Sequence, residues 1–376
     1  MRAVVPVALA AVLTLAPTLE TIVGEAGIVG GSLLVVRNGQ VSAHAVAGYQ
    51  DLDRKVPVSP ETIFHWASIT KTFTGIAIMQ LRDRGLLTLD TPAVQFIPEL
   101  RSVHSKYGDI QQVTIRSLMQ HSAGFRSSTW PWGGSEKWHP FEPTSWQQLA
   151  AMLPYTDLLF KPGAEYRYSN PGVIFLGRVI ELVSGEDFEV YVTKNILMPL
   201  GMHRSFFDRA PYHLLAHRSH SYVRVDGTLT ERPFDFDTGI TVSNGGLNAP
   251  LTDMARYLQF LMNEPQRPEY ATVLGRRSLE EMWVPALTAR DGEGGSGNDV
   301  RIGLSFFIER YGDTTLIGHS GDQNGFISHL YLHPPSHTAW VVNFNTDVTT
   351  TGAARSRSRA ADDAVRDAVI AQFVRP

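Results

Sequence analysis

Strand-type and helix-type patterning occupy different stretches of this chain, and their order leaves few folds open. Near the N-terminus, Ser32-Leu33-Leu34-Val35-Val36-Arg37 and Gln40-Val41-Ser42-Ala43-His44-Ala45-Val46 flank Asn38-Gly39. Both residues of a two-residue hairpin turn take positive φ, which Asn and Gly tolerate, so the pair predicts a β-hairpin. The middle of the chain changes period. Thr70–Arg84 sets Phe73, Ile76, Ala77, Met79, Gln80 and Leu81 at helical spacing and stops at Gly85; 115–121, 172–183, 188–200 and 251–263 repeat that pattern. Strand patterning returns at 302–309, 314–319, 326–333 and 338–343, with Gly312-Asp313, Gly321-Asp322 and Pro334-Pro335 as the expected turns. A last helix over 360–373 puts Val365, Val369 and Phe373 on one face, able to cover a sheet. The expectation is an α/β plus α fold: an antiparallel sheet flanked by helices, built from both chain ends, with an inserted, mostly helical region. By residue, the sheet region takes 19–66 and 240–376, the helical region 67–239, and an apolar segment 1–18.

Composition narrows the function. A chain of 376 residues with 43% apolar content can bury a large core, and a net charge of −4 argues against nucleic acid as the main partner. The absence of cysteine removes disulfides, thiolate metal sites and cysteine nucleophiles. No internal apolar run approaches the roughly 20 residues of a membrane span. Residues 3–16 are apolar apart from Thr14, behind Arg2 and ahead of Pro17. As a signal peptide they imply a periplasmic or secreted protein; as a segment packed on the body, a cytoplasmic one. The assembly state has no signature in the sequence.

Three short motifs carry chemistry. Ser68-Ile69-Thr70-Lys71 opens the first long helix of the middle region. Positions three apart share a helix face, so the Lys71 amine reaches the Ser68 hydroxyl. The positive helix end favours an oxyanion, and with burial it favours a neutral amine able to take the serine proton. Alone, the motif is equally an N-cap serine with a solvated lysine. Tyr168-Ser169-Asn170 precedes Pro171 and a new helix; the phenol can pass a proton to a leaving group and the amide can hold a substrate, or Asn170 can simply cap that helix. Gly318-His319-Ser320-Gly321 lies on a strand whose glycine lets backbone approach a ligand, although a lone histidine is more often a satisfied core residue.

Together the motifs are specific. They occur in order, with separations of 100 and 151 residues from Ser68 to Tyr168 to His319. The chain resembles the serine β-lactamase and penicillin-binding-protein superfamily, in the branch of class C β-lactamases, DD-peptidases and related esterases. Thr62–Ala67 looks like the family's approach to the serine, Leu118–Gly124 like its Leu-Leu-x-His-x-x-Gly segment, and Gly246–Met254 like its Gly-Gly-Leu…Asp-Met segment. The resemblance covers residues 20–376. It implies Ser68 as nucleophile, Lys71 as neighbouring base, Tyr168 as proton shuttle and Asn170 as substrate amide binder. His319, Ser320 and Gly321 would line the substrate, and the N–H groups of Ser68 and Asp322 would form an oxyanion hole. Either Lys71 or a Tyr168 phenolate takes the first proton.

One position departs from the pattern. Class C β-lactamases begin the third motif with lysine, a permanent cation for a substrate carboxylate, whereas His319 is mostly neutral near pH 7. The expected partner is therefore a small-molecule acyl donor, a neutral ester or peptide-like amide, with D-Ala-D-Ala carboxypeptidase or β-lactamase activity as the alternative. A non-catalytic binding protein that keeps the fold is the rival of another class. No metal or organic cofactor is expected. His213, His217 and His220 have a spacing that could ligate zinc on a helix, but Arg218 among them reads as a solvated face. Trp130, Trp132 and Trp138 mark an aromatic loop that either lines the substrate cleft or packs on the helical region, and 291–298 reads as a Gly-rich loop.

Overall fold

The computed structural model describes residues 7–129, 143–234, 237–289 and 299–375. The aromatic loop with Trp130, Trp132 and Trp138 and the Gly-rich stretch 291–298 lie outside these residues. The first hairpin forms as its turn dictates. Strands β1 (Gly30–Arg37) and β2 (Gln40–Asp51) pair antiparallel, with φ +49° at Asn38 and +70° at Gly39. They are followed by β3 (Val56–Pro57), β4 (Leu287–Thr288), β5 (Asp299–Ile302), β6 (Phe307–Tyr311), β7 (Thr314–Gln323), β8 (Phe326–His333) and β9 (Thr338–Phe344). Among the described residues these make one nine-stranded antiparallel sheet, ordered β3-β2-β1-β9-β8-β7-β6-β5-β4. The two chain ends meet at β1 and β9, where Gly31 faces Phe344 and Arg37 faces Thr338.

Alternation along the strands feeds a core on each face. Leu33, Val35, Ile327, Tyr331 and Trp340 pack with helices α1 (Val7–Ala26) and α5 (Arg357–Val369). Leu34, Val36, Leu330, Leu332 and Val341, one residue out of step, join the larger core. That core holds the buried faces of α2 (Thr70–Asp83), α3 (Asn170–Ser184) and α4 (Leu251–Met262). Each such side chain contributes about 1.5–3 kcal/mol on burial. A slip of one residue would move each set into the other core, among packing partners of different shape. Among the described residues, no helix is long and apolar enough to cross a membrane.

Two expected boundaries are wrong. Residues 302–309 are not one strand: the chain turns between β5 and β6, with Ser305 at φ +62°. Tertiary partners take the amides that a strand would need there. The Leu304 N–H donates to the Met282 carbonyl at 2.8 Å, and the Ser305 N–H to that of Met119 at 2.9 Å. Nor is Gly321-Asp322 a turn. Strand β7 runs on to Gln323, and the chain reverses at Asn324-Gly325, with φ +52° and +86°. Asn-Gly is the same hairpin signal that works at 38–39.

His65 ties the small sheet before the first motif to β7. Its strand, Ile63–His65, pairs with Leu247–Pro250. Its ring lies 3.3 Å from Asn248 Oδ1 and 3.1 Å from Gln323 Oε1. Burial holds this imidazole down to about 4, against an ordinary 6.5. Between these values the unfolded chain binds a proton that the folded one refuses, so stability present above pH 6.5 drains away as pH falls. At pH 5 the loss from this residue is about 2 kcal/mol. Urea unfolding at pH 8 and pH 5 should therefore show a smaller pH-dependent loss for His65→Gln than for the wild type, by that amount. Identical losses would contradict this account of His65.

Candidate active site

The first motif begins in a tight turn. Ala67–Ile69 is a 3-10 helix running directly into α2, and Ala67 sits in the left-handed region at φ +49°. That conformation costs an L-residue roughly 1–2 kcal/mol and is held only by surrounding bonds. Here the Trp66 indole donates to Ala249 O at 2.8 Å, Thr70 Oγ1 to Ala67 O at 2.6 Å, and Ser328 Oγ to Trp66 O at 3.1 Å. The turn leaves Ser68 half-buried while its neighbours from Thr62 to Ala67 are fully buried.

Lys71 has no exposed surface. Its Nζ donates to Ser68 Oγ at 2.9 Å and to the Asn244 carbonyl at 2.8 Å, and lies 5.0 Å from the centre of the Tyr168 ring. Further bonds lace 243–249 against this end of α2. Thr74 Oγ1 donates to Ser243 O at 2.6 Å, the Leu247 N–H to Thr70 Oγ1 at 3.0 Å, and the Trp66 N–H to Leu247 O at 2.8 Å. The carbonyl that receives the lysine is thus fixed from both sides.

Tyr168 is set by His121. The His121 carbonyl accepts from the Arg167 N–H at 2.8 Å, and its Nδ1 accepts from the Ser169 N–H at 3.1 Å. The ring lies 4.5 Å from that of Tyr168. Burial, reinforced by the Lys71 charge, pushes His121 down to about 3, so Nδ1 remains an acceptor. Helix α3 starts beside it. Ser169 is the cap, accepting from the Gly172 N–H at 3.1 Å, so Asn170 does not fill that role. Asn170 is half-buried on the first turn, and its N–H donates to Ser127 O at 3.2 Å.

Strand β7 closes the group. A Cβ on Gly321 would sit 2.4 Å from Trp66 O and 3.2 Å from Ala67 Cβ, so only glycine lets the strand lie this near the Ser68 turn. His319 is buried, its ring centre 6.2 Å from that of Tyr168 and 5.0 Å from that of Phe307. Its Nδ1 lies 2.6 Å from the Ser320 carbonyl, which can only accept, so Nδ1 carries the proton. Burial and then Lys71 hold His319 well below the ordinary imidazole value, leaving it neutral. Ser320 is buried opposite His329, and the exposed Asp322 carboxylate lies 3.6 Å from Arg359.

Ser68, Lys71, Tyr168, His319 and Gly321 therefore converge from three distant parts of the sequence. His121, Asn244 and Phe307 join them without having been singled out as site residues. The signal for His121 lay in its segment, Leu118–Gly124; a backbone carbonyl such as that of Asn244 leaves no trace in residue type. His213 and His217 lie on a 3-10 turn, and His220 instead approaches Asp51, at 3.3 Å, and Glu231. Among the described residues, no group of three or more His, Cys, Asp or Glu is placed to hold a metal ion.

Known proteins share this arrangement of chain. The protein named flp from Staphylococcus aureus strain COL is 28% identical over 322 residues, covering 85% of this chain and 60% of the relative. The chain thus spans only part of that longer protein. The octameric penicillin-binding protein homologue from Pyrococcus abyssi superposes with a TM-score of 0.76 at 25% identity, covering 94% of this chain and 77% of that one. A class C β-lactamase mutant superposes with a TM-score of 0.73 at 18% identity, covering 94% and 96%. The sequence model of the family described as Beta-lactamase matches residues 15–364. With that match over most of its length, the chain belongs to the beta-lactamase family.

Proposed function

We propose that the protein hydrolyses carboxylic esters or peptide-like amides through an acyl-enzyme on Ser68. The observation that carries this reading is the 2.9 Å contact from Lys71 Nζ to Ser68 Oγ beneath the Tyr168 ring. Removing one ammonium proton reverses that hydrogen bond and makes Lys71 the acceptor. The Ser68 O–H bond then breaks, its proton passes to the Lys71–Tyr168 pair, and Oγ bonds to the substrate acyl carbon. The N–H groups of Ser68 and Asp322 receive the oxyanion, and Asn170 holds the acyl-side amide. The same pair returns the proton to the departing alcohol or amine, and water then releases the acid by the reverse sequence.

Neutral substrates fit this site better than anionic ones. A carboxylate brought to His319 would meet a neutral imidazole rather than a cation. This sets ester and amide hydrolysis ahead of β-lactam or D-Ala-D-Ala turnover, both of which present a carboxylate.

Two measurements test the reading. Ser68→Ala should lower kcat/KM for p-nitrophenyl butyrate by at least about 10³-fold, the scale on which removing a nucleophile acts. Turnover unchanged by that substitution would contradict the nucleophile, whereas no turnover by the wild type would favour a binding protein that keeps the fold. Penicillin G and its methyl ester share one ring and differ in one charge. The methyl ester should acylate the enzyme with the higher kcat/KM, and a preference for the free acid would overturn the reading of His319.

A further inference from the structure

We infer that Arg359, on α5 behind the sheet, is a positioning residue that fixes the peptide plane between Gly321 and Asp322 and so aims the Asp322 N–H at the acyl oxygen. This rests on the acyl-enzyme reading above but concerns a residue that touches neither Ser68 nor the reacting atoms. Arg359 Nη2 donates to the Gly321 carbonyl at 2.9 Å, and Nη1 to the Ser328 carbonyl at 3.4 Å. Gly321 and Ser328 face each other in the β7–β8 register. One guanidinium reaches both oxygens only if they converge, so the Gly321 carbonyl points inward, toward β8. A trans peptide is planar, with its N–H opposite its C=O, so the Asp322 N–H points outward, to the far edge of β7.

Strand β6 pairs with β7 only as far as Gly318, and among the described residues 319–323 have no strand partner on that side. The Ser68 turn packs against the same stretch: a Cβ on Gly321 would meet Trp66 O and Ala67 Cβ as well as Ser328 Oγ. A cation on the carbonyl also draws charge through the amide, making its N–H the stronger donor. The guanidinium is itself anchored, 3.6 Å from Asp322 Oδ2 and 3.9 Å from Asp362 Oδ2; Asp362 is held in turn by His329 Nδ1 at 2.8 Å. Helix α5 thereby sets the dipole that the site needs.

The test compares Arg359→Met, Arg359→Lys and Ser68→Ala with the wild type, using p-nitrophenyl butyrate turnover and the affinity for phenylboronic acid, a mimic of the tetrahedral adduct. Losing a directly contacting oxyanion donor costs about 10²–10³-fold; acting through a peptide, Arg359→Met should lower kcat about 10–100-fold with KM nearly unchanged. Phenylboronic acid should weaken by a similar factor. Arg359→Lys, which keeps charge but not the fork, should fall between, and it carries the test alone if the methionine variant does not fold. Wild-type kcat in both variants, or a lowered kcat with boronic-acid affinity intact, would overturn the inference. A loss confined to KM for carboxylate-bearing substrates would also overturn it, by making Arg359 a substrate ligand. Ser68→Ala separates the two claims. If it is inactive while the Arg359 variants run at the wild-type rate, only the Arg359 role fails; if it still turns over, both fail.

Discussion

A lysine with no exposed surface has to be held by its neighbours, and much of the described site exists to hold one. An ammonium taken from water loses far more than any single hydrogen bond returns. Lys71 is met by the Ser68 hydroxyl, the Asn244 carbonyl and the face of the Tyr168 ring. Each of these partners is itself fixed: Ser68 by a strained turn at Ala67, Asn244 by the bonds that lace 243–249 to α2, and Tyr168 by His121. The surrounding imidazoles of His121 and His319 are kept neutral by burial and by the lysine's own field. The result is one cationic centre without a competing positive charge at either histidine, a setting in which a serine hydroxyl can be deprotonated.

The sheet explains why this grouping survives in a chain where its members lie so far apart. Strand β7 crosses the Ser68 turn at Gly321, where a side chain would collide with backbone. Helix α5, on the opposite face, grips the same strand through Arg359. The strand is thus clamped between the Ser68 turn and the last helix, in a sheet whose two chain ends pair through β1 and β9. Such long-range closure makes the site a property of the whole fold and not of any one segment.

Much of this was legible in the sequence, for reasons that vary by residue. The hairpin at Asn38-Gly39, the stop of α2 at Gly85 and the apolar face of α5 follow from local backbone preference and periodicity. Ser68, Lys71 and Tyr168 were readable because their residue types and spacing are constrained together. The turn at Asn324-Gly325 used the same signal as the first hairpin but was masked by Gly321-Asp322, which also looks like a turn. Gly321 is glycine because another segment needs the space, and no local rule distinguishes that from a bend. The break between β5 and β6 depends on the Met119 and Met282 carbonyls, which are far away in sequence. Asn244 and Arg359 act through backbone carbonyls, which are the same in every residue and so leave no mark.

The proposed chemistry requires one particular oxygen, Ser68 Oγ, to become acylated. Acid-quenching the enzyme during turnover of a slow ester, digesting it, and locating the added acyl mass by tandem mass spectrometry reads that oxygen directly. The expected result is a single adduct on Ser68. An adduct on Ser122, Ser169 or Ser320 instead, or sustained turnover in which no serine gains the acyl mass, would contradict it.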